Sequence, residues 1–253
     1  MVGIDEHIRM VLARYHMDTG LYSPVRGVQG TIDPVLRRWG NQYIVDIRPS
    51  GSFAKGTAVH GGTDIDIFIS LTSSLREPLQ SIYDTLFNAL SQAGYAPRRQ
   101  NVSIGIRVGG WKVDVTPGRR QDQYGNYHSL WSNKTSSWLQ TNINEHIRVV
   151  SGSGRINEIR LLKIWRNRLG LNWPSFYLEL FVIDALTGAR GGAVQANVVT
   201  VFRAIDQSIE TRRLIDPSNT NNAVSATLTT DEKAALAVAA RSALNSYWKT
   251  VFQ

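Results

Sequence analysis

The sequence predicts an α/β N-terminal half followed by a helical C-terminal half, on three observations. Short runs rich in β-branched residues lie at 43–47, 65–69, 102–108 and 111–115, and strands with a covered face favour such runs. Gly109-Gly110 joins the last two runs as a hairpin turn. From Asn133 onward, apolar residues recur mostly at three- and four-residue spacing, the period of helices packed on one side.

Taken in order, residues 4–17 place Ile4, Ile8, Met10, Val11, Leu12 and Tyr15 at roughly helical spacing. Gly20 to Gly30 reads as a connection, and Asp33-Pro34 as the cap and first turn of a short helix reaching Trp39. The strand at 43–47 delivers the chain to Gly51-Ser52, and a second strand carries Asp64 and Asp66. Leu79, Ile82, Leu86 and Leu90 form one face of a helix over 76–93. The polar stretch 117–135 reads as a loop or domain junction. Helices follow at 156–169, with Leu161, Leu162, Trp165 and Leu169 on one stripe, then at 175–188 and 194–208. After a polar connection at 216–228, Thr229-Thr230-Asp231-Glu232 fits a capping box. The helix it opens buries Leu236, Ala240, Ala243, Leu244, Tyr247 and Val251. The expected domains are 1–130 and 131–253.

A net charge of +8 on 253 residues points to polyanionic partners, nucleic acid or nucleotides. The absence of cysteine excludes disulfides, thiolate nucleophiles and cysteine-type zinc sites. The five histidines are scattered, and only His128 and His146 fall in surroundings suggestive of function. No signal peptide opens the chain and no apolar run is long enough for a membrane helix. The expectation is a cytoplasmic protein without a membrane partner.

The chemistry lies in Gly51-Ser52 and, twelve residues on, the run Thr63-Asp64-Ile65-Asp66-Ile67-Phe68. Alternation along a strand sends both carboxylates to one side. Carboxylates that close repel each other unless a cation lies between them, and hard divalent ions take such oxygens. Gly-Ser can open a helix whose N–H groups face an anion. The hairpin brings Asp114, in Trp111-Lys112-Val113-Asp114-Val115, back alongside the pair. A phosphate cradle beside a carboxylate cluster suits metal-assisted transfer from a nucleoside triphosphate.

Gly-Ser, spacer, Asp-x-Asp and a later strand Asp together resemble the nucleotidyltransferase superfamily of DNA polymerase β. The resemblance spans about residues 40–224 and is nearest to its template-independent branch: archaeal-type CCA-adding enzymes, oligoadenylate synthases and bacterial relatives of cyclic GMP-AMP synthase. It implies an N-terminal palm with a mixed or antiparallel sheet flanked by helices, a C-terminal helical domain, and an active site in the cleft between them. It implies two Mg²⁺ ions, Mn²⁺ substituting, on Asp64, Asp66 and Asp114. The resemblance also assigns Ser52, Lys163 and Ser175 to the triphosphate, with Gly51 at the turn and Phe176 or Tyr177 stacked on the base. Lys163 is read as lying off the core stripe of its helix, and Lys55 and Thr57 as supporting the Gly-Ser turn. Asp216-Pro217 reads as a turn tying down the last helix. The substrate would be an NTP, ATP or CTP, with pyrophosphate released. The leading acceptor is an RNA 3′ end resembling tRNA, with Arg98, Arg99, Arg107, Arg119 and Arg120 near its backbone. CCA-adding enzymes of that type carry a further tRNA-gripping domain, which this sequence is expected to be too short to include. The alternative is a synthase of cyclic or linear oligonucleotide signals, in which the acceptor is another nucleotide.

Overall fold

The structure, a computed structural model, describes residues 3–18, 20, 23–62 and 64–252. Thr63 of the motif run, and Leu21 and Tyr22 of the expected connection, lie outside them. The chain divides into two compact units. The sheet unit is 18–55 with 64–147, and the helical unit is 1–17 with 56–63 and 148–253.

In the sheet unit, α2 (Pro24–Gly40) leads to β1 (Ile44–Pro49), the single turn α3 (Gly51–Ala54) and β2 (Ile65–Leu71). Then come α4 (Leu79–Gln92), β3 (Arg98–Arg99), β4 (Ile104–Val108), β5 (Trp111–Arg120), β6 (His128–Ser132) and β7 (Ser137–Thr141). The numbering follows the chain, with α1 (Ile4–Arg14) belonging to the helical unit. The sheet runs β1-β2-β5-β4-β3, with β6 added to β5 and β7 to β6. Among the described residues, only β2 and β5 pair in parallel. This arrangement is mixed α/β, as the sequence predicts. β2 and β5 bury Ile65, Ile67, Ile69, Val113 and Val115, which share one face of the sheet, almost completely. Ile82, Leu86 and Leu90 of α4 are buried as expected.

Three expectations for this unit are corrected. Helix α2 begins at Pro24 and carries Pro34 in its interior. Its buried Val25, Val28, Ile32 and Leu36 hold the helix across a residue that ordinarily breaks one. Second, 117–135 is loop only in part, because β5 continues to Arg120 and β6 spans His128–Ser132. Third, the β6–β7 hairpin places 131–147 with the sheet rather than with the helices.

His128 anchors that hairpin. Its Nδ1 lies 2.9 Å from the Asn126 carbonyl oxygen and its Nε2 2.8 Å from Ser70 Oγ. A neutral ring donating from Nδ1 and accepting the Ser70 hydroxyl at Nε2 satisfies both contacts. Burial, reinforced by the Arg120 charge, lowers the imidazole from 6.5 to about 4. Protonation therefore favours the unfolded chain. The stability this neutral ring provides is present above pH 6.5 and is lost as pH falls through 4, by up to ~3 kcal/mol. Urea midpoints at pH 7, 5 and 4 should drop more steeply for wild type than for His128→Gln; parallel curves would refute this.

The helical unit contains α1, residues 56–63, and α6 (Ile156–Arg168), α7 (Ser175–Ala185), α8 (Val194–Ser208), α9 (Thr230–Leu244) and α10 (Trp248–Val251). Before α6, α5 (Ile143–Ser151) runs across the boundary at 147/148. A short hairpin, β8 (Ile215–Asp216) and β9 (Asn219–Ala223), completes the unit. Its single core joins Ile8 and Val11 of α1 and Val59 to Leu161, Leu162, Trp165, Phe181, Phe202 and Leu236. Those shared apolar contacts group α1 with the C-terminal helices, whereas the expected boundary put it with residues 1–130. The capping box at Thr229 and Glu232 is present. Asp216 Oδ1 accepts the Ser218 N–H at 2.8 Å and its hydroxyl at 2.9 Å, so this residue builds a turn. α9 ends at Leu244, and Tyr247 is exposed, where the sequence predicts burial. No helix among the described residues is long and apolar enough to cross a membrane.

Candidate active site

The residues singled out from sequence fall into two groups, one in each unit. In the sheet unit, the parallel register sets Asp66 directly opposite Asp114. Adjacent strands lie about 4.8 Å apart, and paired residues share a face. Asp64 is exposed and immediately precedes β2, two positions before Asp66. The three carboxylates therefore gather at the start of β2 and the middle of β5.

Gly51 and Ser52 open α3 beside them. The Ser50 N–H donates to the Asp66 carbonyl at 2.8 Å, pinning the turn to β2. Gly51 has φ +55°, and a Cβ there would lie 1.7 Å from Asp66 Oδ2. Only glycine fits, both by conformation and by space. Ser52 is buried.

Asp114 has a partner that the sequence did not reveal. Gln100 Nε2 donates to Asp114 Oδ1 at 2.8 Å. The Gln100 Oε1 accepts from Ser103 Oγ at 2.7 Å, and its backbone N–H donates to the Ser103 carbonyl at 3.1 Å. Gly105 pairs with Asp114 across β4–β5, and its missing side chain leaves the room: a Cβ there would lie 2.6 Å from Gln100 Nε2. Burial holds the Asp114 carboxyl above its usual range and the Asp64 charge adds to this, while the Gln100 hydrogen bond opposes it.

Among the described residues, no group of three or more His, Asp or Glu side chains is already arranged to hold a metal ion. The donor chemistry nevertheless fits Mg²⁺. Asp64, Asp66 and Asp114 offer only carboxylate oxygens, and the like-charge effect of Asp64 on Asp114 is one a cation relieves.

The second group lies in the helical unit. Lys163 is 1% exposed, contrary to the expected position off the core stripe. Its Nζ donates to Glu179 Oε1 at 2.6 Å and to Thr57 Oγ1 at 2.9 Å, and Thr57 donates to the same Glu179 oxygen at 2.5 Å. Ile159, Leu161, Leu162, Ile164 and Trp165 are all buried, so α6 is enclosed on most sides and offers Lys163 no wet face. Ser175 begins α7 and its Oγ accepts from Arg166 Nη1 at 3.1 Å; the same nitrogen donates to the Trp173 carbonyl at 2.7 Å. Arg166 itself is buried. Phe176 is half-buried against the core. Tyr177 is a core residue, edge-on to Trp173 with centroids 5.8 Å apart.

No protein-family model matches the chain. The fold and the sequence similarity make the chain a member of the polymerase β-like nucleotidyltransferase superfamily. Within it, the chain is 27% identical over 152 residues to the cyclic AMP-AMP-AMP synthase of Escherichia coli strain MS 115-1. That match takes in 54% of this chain and 47% of the synthase, so the chain spans about half the length of the curated relative it matches. The solved structure of CdnC from E. coli MS115-1 with ATP superposes with a TM-score of 0.75 at 20% identity, covering 95% of this chain and 90% of that one. The CD-NTase CdnG of Bradyrhizobium diazoefficiens, solved with GTP, gives a TM-score of 0.75 at 14% identity, covering 96% and 90%.

Proposed function

We propose that this chain synthesises cyclic oligonucleotides, transferring a nucleoside monophosphate from an NTP to a hydroxyl of another nucleotide. The observation that carries this reading is the similarity, over 152 residues, to a cyclic AMP-AMP-AMP synthase. The likeness to nucleotide-bound CdnC and CdnG supports it. The expected RNA 3′ end gains no comparable support and gives way to the second nucleotide as acceptor.

The acceptor oxygen bonds to the α-phosphorus while the bond to the β-phosphate oxygen breaks, and pyrophosphate leaves. Asp114 suits acceptance of the hydroxyl proton, because its buried environment makes it a stronger base than an ordinary aspartate. Asp64, Asp66 and Asp114 are the residues that would hold Mg²⁺, or Mn²⁺ in its place. Bound there, the metal supplies Lewis acidity for the incoming hydroxyl and charge neutralisation for the leaving group. Ser52, on the turn pinned to Asp66, contributes a hydroxyl to the triphosphate. The triphosphate role of Ser175 and the base-stacking role of Phe176 rest on the resemblance alone. Lys163 acts as a structural cation that holds Glu179 and Thr57, rather than as a phosphate clamp.

Gln100 orients Asp114. Gln100→Leu should weaken Mn²⁺ binding and turnover by roughly 10-fold or more, the usual consequence of losing a hydrogen bond behind a metal ligand. Calorimetric Mn²⁺ titration beside initial rates checks this, and unchanged values of both would refute it. The function itself is tested by incubating the protein with all four NTPs and Mg²⁺ or Mn²⁺, with and without total tRNA. A phosphatase-resistant small product formed without RNA supports the proposal. Label appearing only on added RNA overturns it.

A further inference from the structure

A second groove lies in the sheet unit, at the end of β5 away from Asp114. Its volume is about 960 Å³, and its lining includes Arg76, Arg119, Arg120, Trp131 and Trp138 but neither aspartate nor glutamate. Arg119 and Arg120 lie five and six residues beyond Asp114 on β5, roughly 17–20 Å along the strand. The groove is therefore distinct from the carboxylate cluster.

Its arginines are held in place. The Arg120 Nε donates to Ser70 Oγ at 3.2 Å, and Ser70 is held in turn by the buried ring of His128. The ring's other nitrogen is fixed by the Asn126 carbonyl. Arg119 Nη1 donates to the carbonyls of Leu75 and Glu77 at 3.2 and 2.8 Å. Arg76 is exposed on the same rim. Opposite stands an indole pair: Trp131 and Trp138 face each other across β6–β7, and Trp138 is 59% exposed. A large aromatic left in water beside a cluster of guanidinium groups marks a binding surface.

We propose that this groove binds a short single-stranded oligonucleotide, with the arginines on its phosphates and the indoles on its bases. Guanidinium groups pair with phosphate oxygens, and indoles stack on any base that is not already stacked in a duplex. The volume stands at the upper end of small-molecule clefts, and the two indoles and three arginines serve more than one nucleotide. The net charge of +8 agrees with such a ligand. The site does not depend on the proposed catalysis, since none of its residues lies in the carboxylate cluster.

The test uses the full chain in EDTA without NTP, so that catalysis plays no part. A fluorescein-labelled ten-nucleotide oligo-U is titrated and followed by anisotropy. Saturable binding is expected, weakened about tenfold in Trp138→Ala. The salt dependence should have a log–log slope of about −2, and Arg76→Ala should weaken binding and flatten the slope by about 0.7. Arg203→Ala, an exposed arginine on α8, should leave binding unchanged. UMP should compete only at far higher concentration than the unlabelled strand. Absence of saturable binding, wild-type affinity in both Trp138→Ala and Arg76→Ala, or equal competition by UMP would overturn the proposal. Trp138 and Arg76 are exposed, so their replacement leaves the fold intact.

Discussion

Asp66→Asn is expected to lower NTP-dependent pyrophosphate release by about 10³-fold or more, on the scale of losing a principal charge-stabilising group. The carboxylate sits beneath the Gly51 turn and opposite Asp114, where asparagine occupies the same volume. The β2–β5 register is backbone-made and survives. What is lost is the charge. Removing one member of a like-charged cluster relieves repulsion, so the melting temperature should hold or rise. Pyrophosphate release and thermal melting, measured on one preparation, check both parts. Near-native release would remove Asp66 from the mechanism.

Lys163→Met should destabilise the helical unit by about 3–5 kcal/mol, because it leaves the Glu179 carboxylate buried beside Thr57 without its ammonium partner. For a protein of this size that corresponds to a fall in Tm of about 10 °C. The paired replacement Lys163→Met with Glu179→Leu should recover much of it, since the uncompensated charge is then gone. A Lys163→Met protein that melts like wild type but loses NTP affinity would restore the expected phosphate-clamping role.

The placement of the three aspartates in the sheet unit was legible because its signals are local. Asp64 and Asp66 keep strand spacing, and Gly109-Gly110 fixes where the chain turns back with Asp114. Gln100 was not legible: a lone glutamine after two arginines carries no pattern, and only the pairing of Gly105 with Asp114 brings it into reach. The burial of Lys163 had a visible cause in the flanking Leu161, Leu162, Ile164 and Trp165, whose burial leaves the middle of α6 almost no exposed face. The stripe reading missed it by choosing one face; Leu169, placed on that stripe, is exposed. Asp33-Pro34 looked like a helix start because proline suits a first turn. The Val25, Val28, Ile32, Leu36 spacing already ran through it. β6 and β7 were hidden by polar residues, as strands carrying an exposed face commonly are.

The most direct measurement follows the fate of ATP labelled at the α- or the γ-phosphate, supplied with the other three NTPs and Mg²⁺. The account predicts α-label in a phosphatase-resistant product and γ-label in pyrophosphate, both lost in Asp66→Asn. Release of γ-label as orthophosphate, with the α-label left in a nucleoside diphosphate, would mean a hydrolase and contradict it.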